Sequence, residues 1–348
     1  MRVRAFQRWL HEHKVALALF LVEEQPEPNV VYFAQLPDVT HAALAIPARG
    51  KQKVFVSALD YEGVKRQGVV LARGALLGAV KKQAAKQRVG VDFSRLPLQL
   101  AHRLQEWGCE LVDVRAAVEK LRAVKTRQEA ALLRKAARIA SEAFLSLMRD
   151  FHFTTEAEVR AALEYAMAVR GAAAAFPTIV ASGRNAAVPH HRTSNEELRR
   201  GFCVIDFGAV HQGYRSDCTR TVFIGKPTPQ EKRLYQRVLQ AQERGLHALR
   251  AGARCGDVDR AARKALGVYR RYFVHSLGHG IGVEVHEAPH LGAKSTETLQ
   301  EGMVVTVEPG IYLPDRLGIR IEDMVLVGRR PEALTSPPKE LMVVPLRR

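Results

Sequence analysis

Val204–Val222 reads VIDFGAVHQGYRSDCTRTV. Phe202–Ala209 is apolar and β-prone. Asp217–Ile224 supplies Thr219, Thr221, Val222 and Phe223, and His211-Gln212-Gly213 between the two arms has the composition of a turn. The stretch predicts a β-hairpin with one acid in each arm, Asp206 and Asp217. With the turn centred between His211 and Gln212, Asp206 falls directly opposite Asp217. Side chains in such a pair stand about 5 Å apart and like charges there repel, so the arrangement calls for a cation between them. A one-residue slip of register puts the acids on opposite faces. Two solvated acids at the ends of a hairpin is an equally open reading of this stretch alone.

The residues beyond the hairpin shift that balance. HSLGHGIG carries His275 and His279 among glycines that let backbone or ligand approach closely. VHEAPH carries His286, Glu287 and His290, and VVTVEPGIY is followed by GIRIED. There Glu308 ends a β-branched strand just before Pro309. Alternation along GIRIED places Arg320 and Glu322 on one face and Asp323 on the other. A lone histidine or a lone acid at a strand end is ordinarily structural or solvated. However, Asp206, Asp217, Glu308 and Glu322 all sit in strands otherwise built of Val, Ile and Phe, and burying four uncompensated carboxylates is prohibitively costly. Four carboxylates and one imidazole form a harder, more oxygen-rich set than a structural zinc site. Such a set suits a pair of divalent ions such as Mn²⁺, Co²⁺ or Zn²⁺, which can activate water for hydrolysis.

With 348 residues and 47% hydrophobic content the chain has room for two globular domains. The four cysteines (Cys109, Cys203, Cys218, Cys255) show neither CxxC nor zinc-ligand spacing, which points to a reduced, cytoplasmic setting. Val15–Val22 is an apolar run too short to span a bilayer and reads as a buried strand, so no membrane partner is expected. A net charge of +17 would suit nucleic acid. The arginines are scattered, with no polybasic block and no aromatic-interleaved stripe, which argues against that partner.

Residues 1–122 alternate strands with helices. Strands are expected at Val15–Glu23, Val30–Phe33, Ala42–Pro47, Val54–Val56, Gly68–Leu71, Arg88–Val91 and Glu110–Val114. Helices are expected at Arg4–His13, Asp60–Gln67, Ala75–Gln87 and Leu96–Gly108, and the segment EEQPEPN reads as a loop. This is an α/β domain with a mainly parallel sheet, without a phosphate-cradling glycine motif. In residues 123–348, Arg127–Arg149 is a long amphipathic helix. Thr155–Glu158 and Thr228–Glu231 are capping boxes opening further helices, and Ala181–Leu198 is a loop holding Pro189-His190-His191.

From Arg127 onward, IDFGAVHQGYRSDCTRT, HSLGHGIGVEVHEAP, EGMVVTVEPGIY and GIRIEDMVLV resemble, in order and spacing, the pita-bread-fold metallopeptidases: prolidase, aminopeptidase P and methionine aminopeptidase. The N-terminal half resembles the creatinase-type domain of the prolidase and aminopeptidase P branch. VKTRQEAALLRKAARIA is similar to the segment that joins the two domains in that branch. The resemblance implies an α/β creatinase-type domain followed by an α+β pita-bread catalytic domain. It implies two divalent metal ions (Mn, Co or Zn), with Asp206 on one, His279 and Glu308 on the other, and Asp217 and Glu322 bridging. Glu308 would also serve as general base. His190 would contact substrate near the scissile bond, and His286 would stabilise the intermediate or shuttle a proton. Arg320 would stand beside the bridging glutamate, and His275 and Tyr312 would line a pocket for proline. His290 stands where many relatives carry arginine, which clouds dipeptide preference, though as a substrate-binding residue His290 could partly substitute. The implied function is hydrolysis of the bond between an N-terminal residue and proline in short peptides, by an Xaa-Pro dipeptidase or Xaa-Pro aminopeptidase acting as a homodimer. The alternatives are a methionine aminopeptidase-like exopeptidase and a non-catalytic basic protein that binds RNA or ribosomes on the same fold.

Overall fold

The computed structural model describes residues 2–23, 27–66, 68–72 and 75–347. The chain divides into two compact units, Met1–Arg122 and Ala123–Arg348. Among the described residues, no helix is long and apolar enough to cross a membrane. Cys109, Cys203, Cys218 and Cys255 are all buried and free.

The first unit is built on a six-stranded sheet in the order Val69–Leu71, Lys53–Val56, His41–Pro47, Leu17–Glu23, Arg88–Val91, Glu110–Asp113. The apolar run near the N-terminus is thus an interior strand. The sheet is mainly parallel, as expected, with one reversed strand: His41–Pro47 is antiparallel to both neighbours, and the other three pairings are parallel. The tight connection through Gly50, with φ +104°, returns the chain as a hairpin and forces the reversal. Its core gathers Leu17, Leu19, Val89 and Val91 from the strands with Val80, Leu100 and Leu104 from the helices.

The expected strand Val30–Phe33 is instead the helix Pro28–Ala34. It is buried on every side, so its apolar run lacks the one-faced periodicity that distinguishes helix from strand. Pro28 at the helix start and the Glu27 side chain accepting from the Asn29 N–H at 3.0 Å open it. The expected loop EEQPEPN falls partly on residues 24–26, and the expected end of the Asp60 helix falls on residue 67; both lie outside the described residues. The described helix there is Ala58–Val64.

In the second unit, two helix pairs each cover one sheet. Arg127–Arg149 and Glu156–Ala168 pack Phe144, Leu147, Val159, Leu163 and Met167 against the sheet of Ile179–Ser182, Gly201–Phe207, Cys218–Ile224 and Val343–Val344. Pro229–Ala248 and Cys255–Leu266 pack Val238, Val258 and Ala262 against Val305, Val307 and Val325 of a second sheet. That sheet holds Glu287–Leu291, Gly278–Gly280, Val304–Val307, Asp323–Leu326 and Glu332–Ala333. A two-stranded ribbon, Gly310–Leu313 with Leu317–Arg320, completes the frame. Capping boxes at Thr126, Thr155 and Thr228 each satisfy backbone donors of a helix start.

Alternation on the hairpin sorts its side chains. Cys203, Ile205 and Phe207 face the first helix pair with Cys218, Val222 and Ile224. Asp206 and its cross-strand neighbour Thr219 lie on the other face, as does Thr221. The turn is Gln212-Gly213, with φ +49° and +79°, one residue further on than expected. Asp206 therefore opposes Thr219, not Asp217. The shift moves each arm by one residue, so Asp217 becomes the diagonal neighbour of Asp206 and stays on its face.

Candidate metal centre

The acids converge where the hairpin meets the second sheet. Ligand atoms of Asp217, His279 and Glu322 all lie within 4.8 Å of one another. His279 Nε2 is 3.4 Å from Glu308 Oε1 and 3.7 Å from Asp217 Oδ2. His279 Nδ1 stands 3.1 Å from the Gly280 carbonyl, which can only accept. That contact places the ring proton on Nδ1 and turns the Nε2 lone pair toward the acids, the orientation a metal ligand needs. The glycines on either side of His279 are required by close approach: a Cβ on Gly278 would stand 2.0 Å from the Thr306 carbonyl oxygen, and one on Gly280 2.1 Å from that of Ala288.

Charge is concentrated here at a cost. Burial first, then Glu322, Asp206 and Glu308, holds the Asp217 carboxyl well above its usual range. Burial first, then Glu308 and Asp206, does the same to Glu322. Burial, opposed by Arg320 and reinforced by Asp206, raises Glu308 to about 8. Among the described residues, the carboxylate oxygens Asp206 Oδ1 and Glu322 Oε1 are buried without a hydrogen-bond donor. A cluster of acids that burial drives toward protonation, with two oxygens unpartnered and an imidazole lone pair aimed inward, fits divalent cations.

One guanidinium organises the rim. Arg320 donates to Asp206 Oδ2 at 2.7 Å, to the Tyr312 hydroxyl at 2.8 Å, to Thr219 Oγ1 at 3.0 Å and to the Pro189 carbonyl at 3.5 Å. Thr219 passes the link on by donating to Glu322 Oε2 at 2.7 Å. Arg320 is thus beside Asp206 and is linked by hydrogen bonds to Glu322 through Thr219. Tyr312 and His275 are joined at 2.9 Å through His275 Nε2. Burial, followed by Arg320, lowers His275 to about 3, and burial, followed by His286, lowers His279 to about 4. His286, 4.4 Å from His279 ring to ring, is also lowered, by burial first and then His190. In each case the shift favours the neutral ring. His290 stands apart from them: it is opposite His279 on the adjoining strand but exposed, with Nε2 on Ser276 Oγ at 2.7 Å.

On the reverse of GIRIED, Asp323 meets Arg220 at 2.7 Å, with Thr335 and Gln242 donating to its two oxygens at 2.8 Å. The expected opposition of Glu322 and Asp323 holds, although GIRIED is broken between the strands Leu317–Arg320 and Asp323–Leu326. Sequence reasoning missed Thr219, Thr306 and Glu156. Thr306 donates to Glu308 Oε1 at 3.3 Å and accepts from the His279 N–H at 3.1 Å. The available signal was alternation, which places Thr219 and Thr221 on the acid face of an otherwise apolar strand.

The sequence profile described as Metallopeptidase family M24 matches residues 131–329. The chain belongs to this family. The Creatinase/Prolidase N-terminal domain profile matches residues 2–124. An Xaa-Pro dipeptidase from Pyrococcus horikoshii is 34% identical over 90% of this chain and 92% of its own length. Among solved structures, an Xaa-Pro dipeptidase from Bacillus anthracis superposes with TM-score 0.90 at 34% identity, covering 99% of both chains. An X-Pro aminopeptidase from Thermotoga maritima gives 0.87 at 33% identity, over 95% of this chain and 98% of that one. The two matches together show a creatinase-type N-terminal domain followed by a pita-bread catalytic domain, and the M24 family accounts for a carboxylate and histidine cluster suited to divalent metal.

Proposed function

We propose that this protein hydrolyses the peptide bond between an N-terminal residue and proline, using two divalent metal ions. The observation that carries the reading is the convergence of Asp206, Asp217, His279, Glu308 and Glu322, with buried unpartnered oxygens on Asp206 and Glu322. The names of the relatives, Xaa-Pro dipeptidase and X-Pro aminopeptidase, supply the substrate class. The match to a Creatinase/Prolidase N-terminal domain favours this branch over a methionine aminopeptidase. The intact set of acids favours it over a non-catalytic RNA-binding role.

Asp206 would hold one ion, His279 and Glu308 the other, and Asp217 and Glu322 both. Mn²⁺, Co²⁺ or Zn²⁺ there would supply Lewis-acid activation of water and of the scissile carbonyl. Glu308, its Oε1 oriented by Thr306, takes the proton of the attacking water. Neutral His286 donates a hydrogen bond to the developing oxyanion, and His190 holds the substrate beside the scissile bond. Arg320 keeps Asp206 and Tyr312 in place. His275 and Tyr312 present the flat walls of a proline slot. A tertiary amide offers no N–H, so recognition by shape rather than by a hydrogen bond suits the X–Pro bond.

The finer assignments are cytoplasmic action, supported by four buried free cysteines, and a homodimer, which light scattering in solution will test. Exposed His290, where many relatives carry arginine, would take part in binding the far end of the substrate, and the choice between dipeptide and longer peptide is left to the assay. The test is cleavage of an X-Pro dipeptide beside an X-Pro-X tripeptide by the Mn²⁺-loaded protein. Cleavage of the dipeptide alone makes it a dipeptidase, and cleavage of the tripeptide makes it an aminopeptidase. Cleavage of neither, with Met-X peptides hydrolysed instead, overturns the proline reading.

A further inference from the structure

The sequence Pro189-His190-His191 offers two adjacent histidines, and the structure treats them differently. His190 is exposed. His191 is held: its Nε2 lies 2.8 Å from Glu156 Oε2. Glu156, the first residue of the Glu156–Ala168 helix, is fully buried. Its other oxygen, Oε1, accepts from the Ser182 N–H at 2.8 Å, the Ser182 hydroxyl at 3.2 Å and Asn185 Nδ2 at 3.1 Å. One carboxylate therefore grips both ends of the segment between Ser182 and His191.

Two further contacts tie that segment to the metal centre. The Pro189 carbonyl accepts from Arg320 Nη1 at 3.5 Å. The Ala186 carbonyl oxygen sits so close to Gly318 that a Cβ there would be 1.7 Å away. The segment is pinned on the site side by Arg320 and Gly318 and on the opposite side by Glu156. His190 projects from between the pins, and its backbone is fixed by the clamp on the next residue.

We infer that Glu156 is a positioning residue for His190, acting through His191 and the 182–191 segment, and that His191 is its clasp rather than a second substrate-binding histidine. This rests on the proposed role of His190 at the scissile bond. Glu156 lies outside the cluster of converging acids, and its buried charge is compensated by donors that belong to the segment it holds. An outer residue of this kind acts on geometry, where displacement of about 1 Å costs about 10²-fold in rate.

The experiment is a double-mutant comparison on the full-length, Mn²⁺-loaded protein, reading kcat and KM for an X-Pro dipeptide together with bound metal. In Glu156→Gln the amide puts a donor where one end of the clamp needs an acceptor. The expected result is a fall of about 10–100-fold in kcat/KM with metal content unchanged. In a His190→Ala background the same change costs less than about 3-fold, because the group it positions is gone. Equal losses in both backgrounds overturn the proposal and make Glu156 a stability residue only. His191→Phe, which removes the clasp but keeps a ring, carries the same comparison if Glu156→Gln does not fold. If His190→Ala alone leaves activity at the wild-type level, the role of His190 fails and this proposal with it. Loss of activity in Asp217→Asn would still uphold the metal centre in that case.

Discussion

Arg320 shows how much of this site is held by one side chain. Its three nitrogens reach Asp206, Tyr312, Thr219 and the Pro189 carbonyl. A planar fork can serve these partners together, and an ammonium cannot. Arg320→Lys should therefore lower kcat/KM by about 10–100-fold, the usual cost of an outer partner of a metal ligand; steady-state kinetics with metal analysis will check it. The acids make a pH prediction. Glu308 is raised from 4.5 to about 8, and Asp217 and Glu322 move the same way. Below about 6.5 the lowered His275, His279 and His286 oppose this effect, so it is between about 6.5 and about 8 that the folded metal-free protein binds more protons than the unfolded chain. Its stability must fall as pH rises through that window, and metal binding must release protons and tighten with pH. Thermal melts of chelated protein across this range should show a declining midpoint that excess Mn²⁺ restores. A flat midpoint would contradict the burial of these charges. At this scale the acids were legible because carboxylates in Val- and Ile-rich strands demand a partner. Thr219 and Thr306 were not, because threonine is an ordinary strand former and only the partner strand reveals its use.

The hairpin sets the metal centre's geometry, and its turn sets the hairpin. Gln212 and Gly213 both adopt positive φ, giving a two-residue turn that matches the twist of the strands. The arms come so close that a Cβ on Gly208 would stand 1.9 Å from the Ser216 carbonyl oxygen. The turn's composition was readable, but its centre was not, since His211, Gln212 and Gly213 all suit a turn. The resulting one-residue error in each arm preserved the facing of both acids. Behind the hairpin, Arg220 is fully buried on Asp323 and on carbonyls of Thr219, Glu322, Pro337 and Pro338. It anchors the reverse side of the strands that carry Glu322 and Thr219. Asp323→Ala leaves that guanidinium uncompensated and should destabilise the protein by about 3–5 kcal/mol, read by denaturant unfolding. A loss below about 1 kcal/mol would mean that the carbonyls alone satisfy Arg220. The capping boxes at Thr155 and Thr228 were legible from four residues each, whereas the buried helix Pro28–Ala34 had no polar face to announce it.

The whole molecule carries its chemistry in one unit. Every proposed ligand lies in Ala123–Arg348, and Met1–Arg122 has its own sheet and core. Removing metal should therefore increase amide hydrogen exchange in the strands around His279, Glu308 and Glu322 and leave the first unit's six strands unchanged. Equal loosening of both units would contradict a metal centre confined to the second. The charge of +17 plays no part in this account of the site. The most direct measurement is a titration of Mn²⁺ or Co²⁺ into metal-free protein while following cleavage of an X-Pro dipeptide. The account predicts activity that climbs to a plateau at two equivalents, and none at any metal concentration for Asp217→Asn. Two ions bound with no cleavage of X-Pro peptides, or full cleavage by Asp217→Asn, would contradict it.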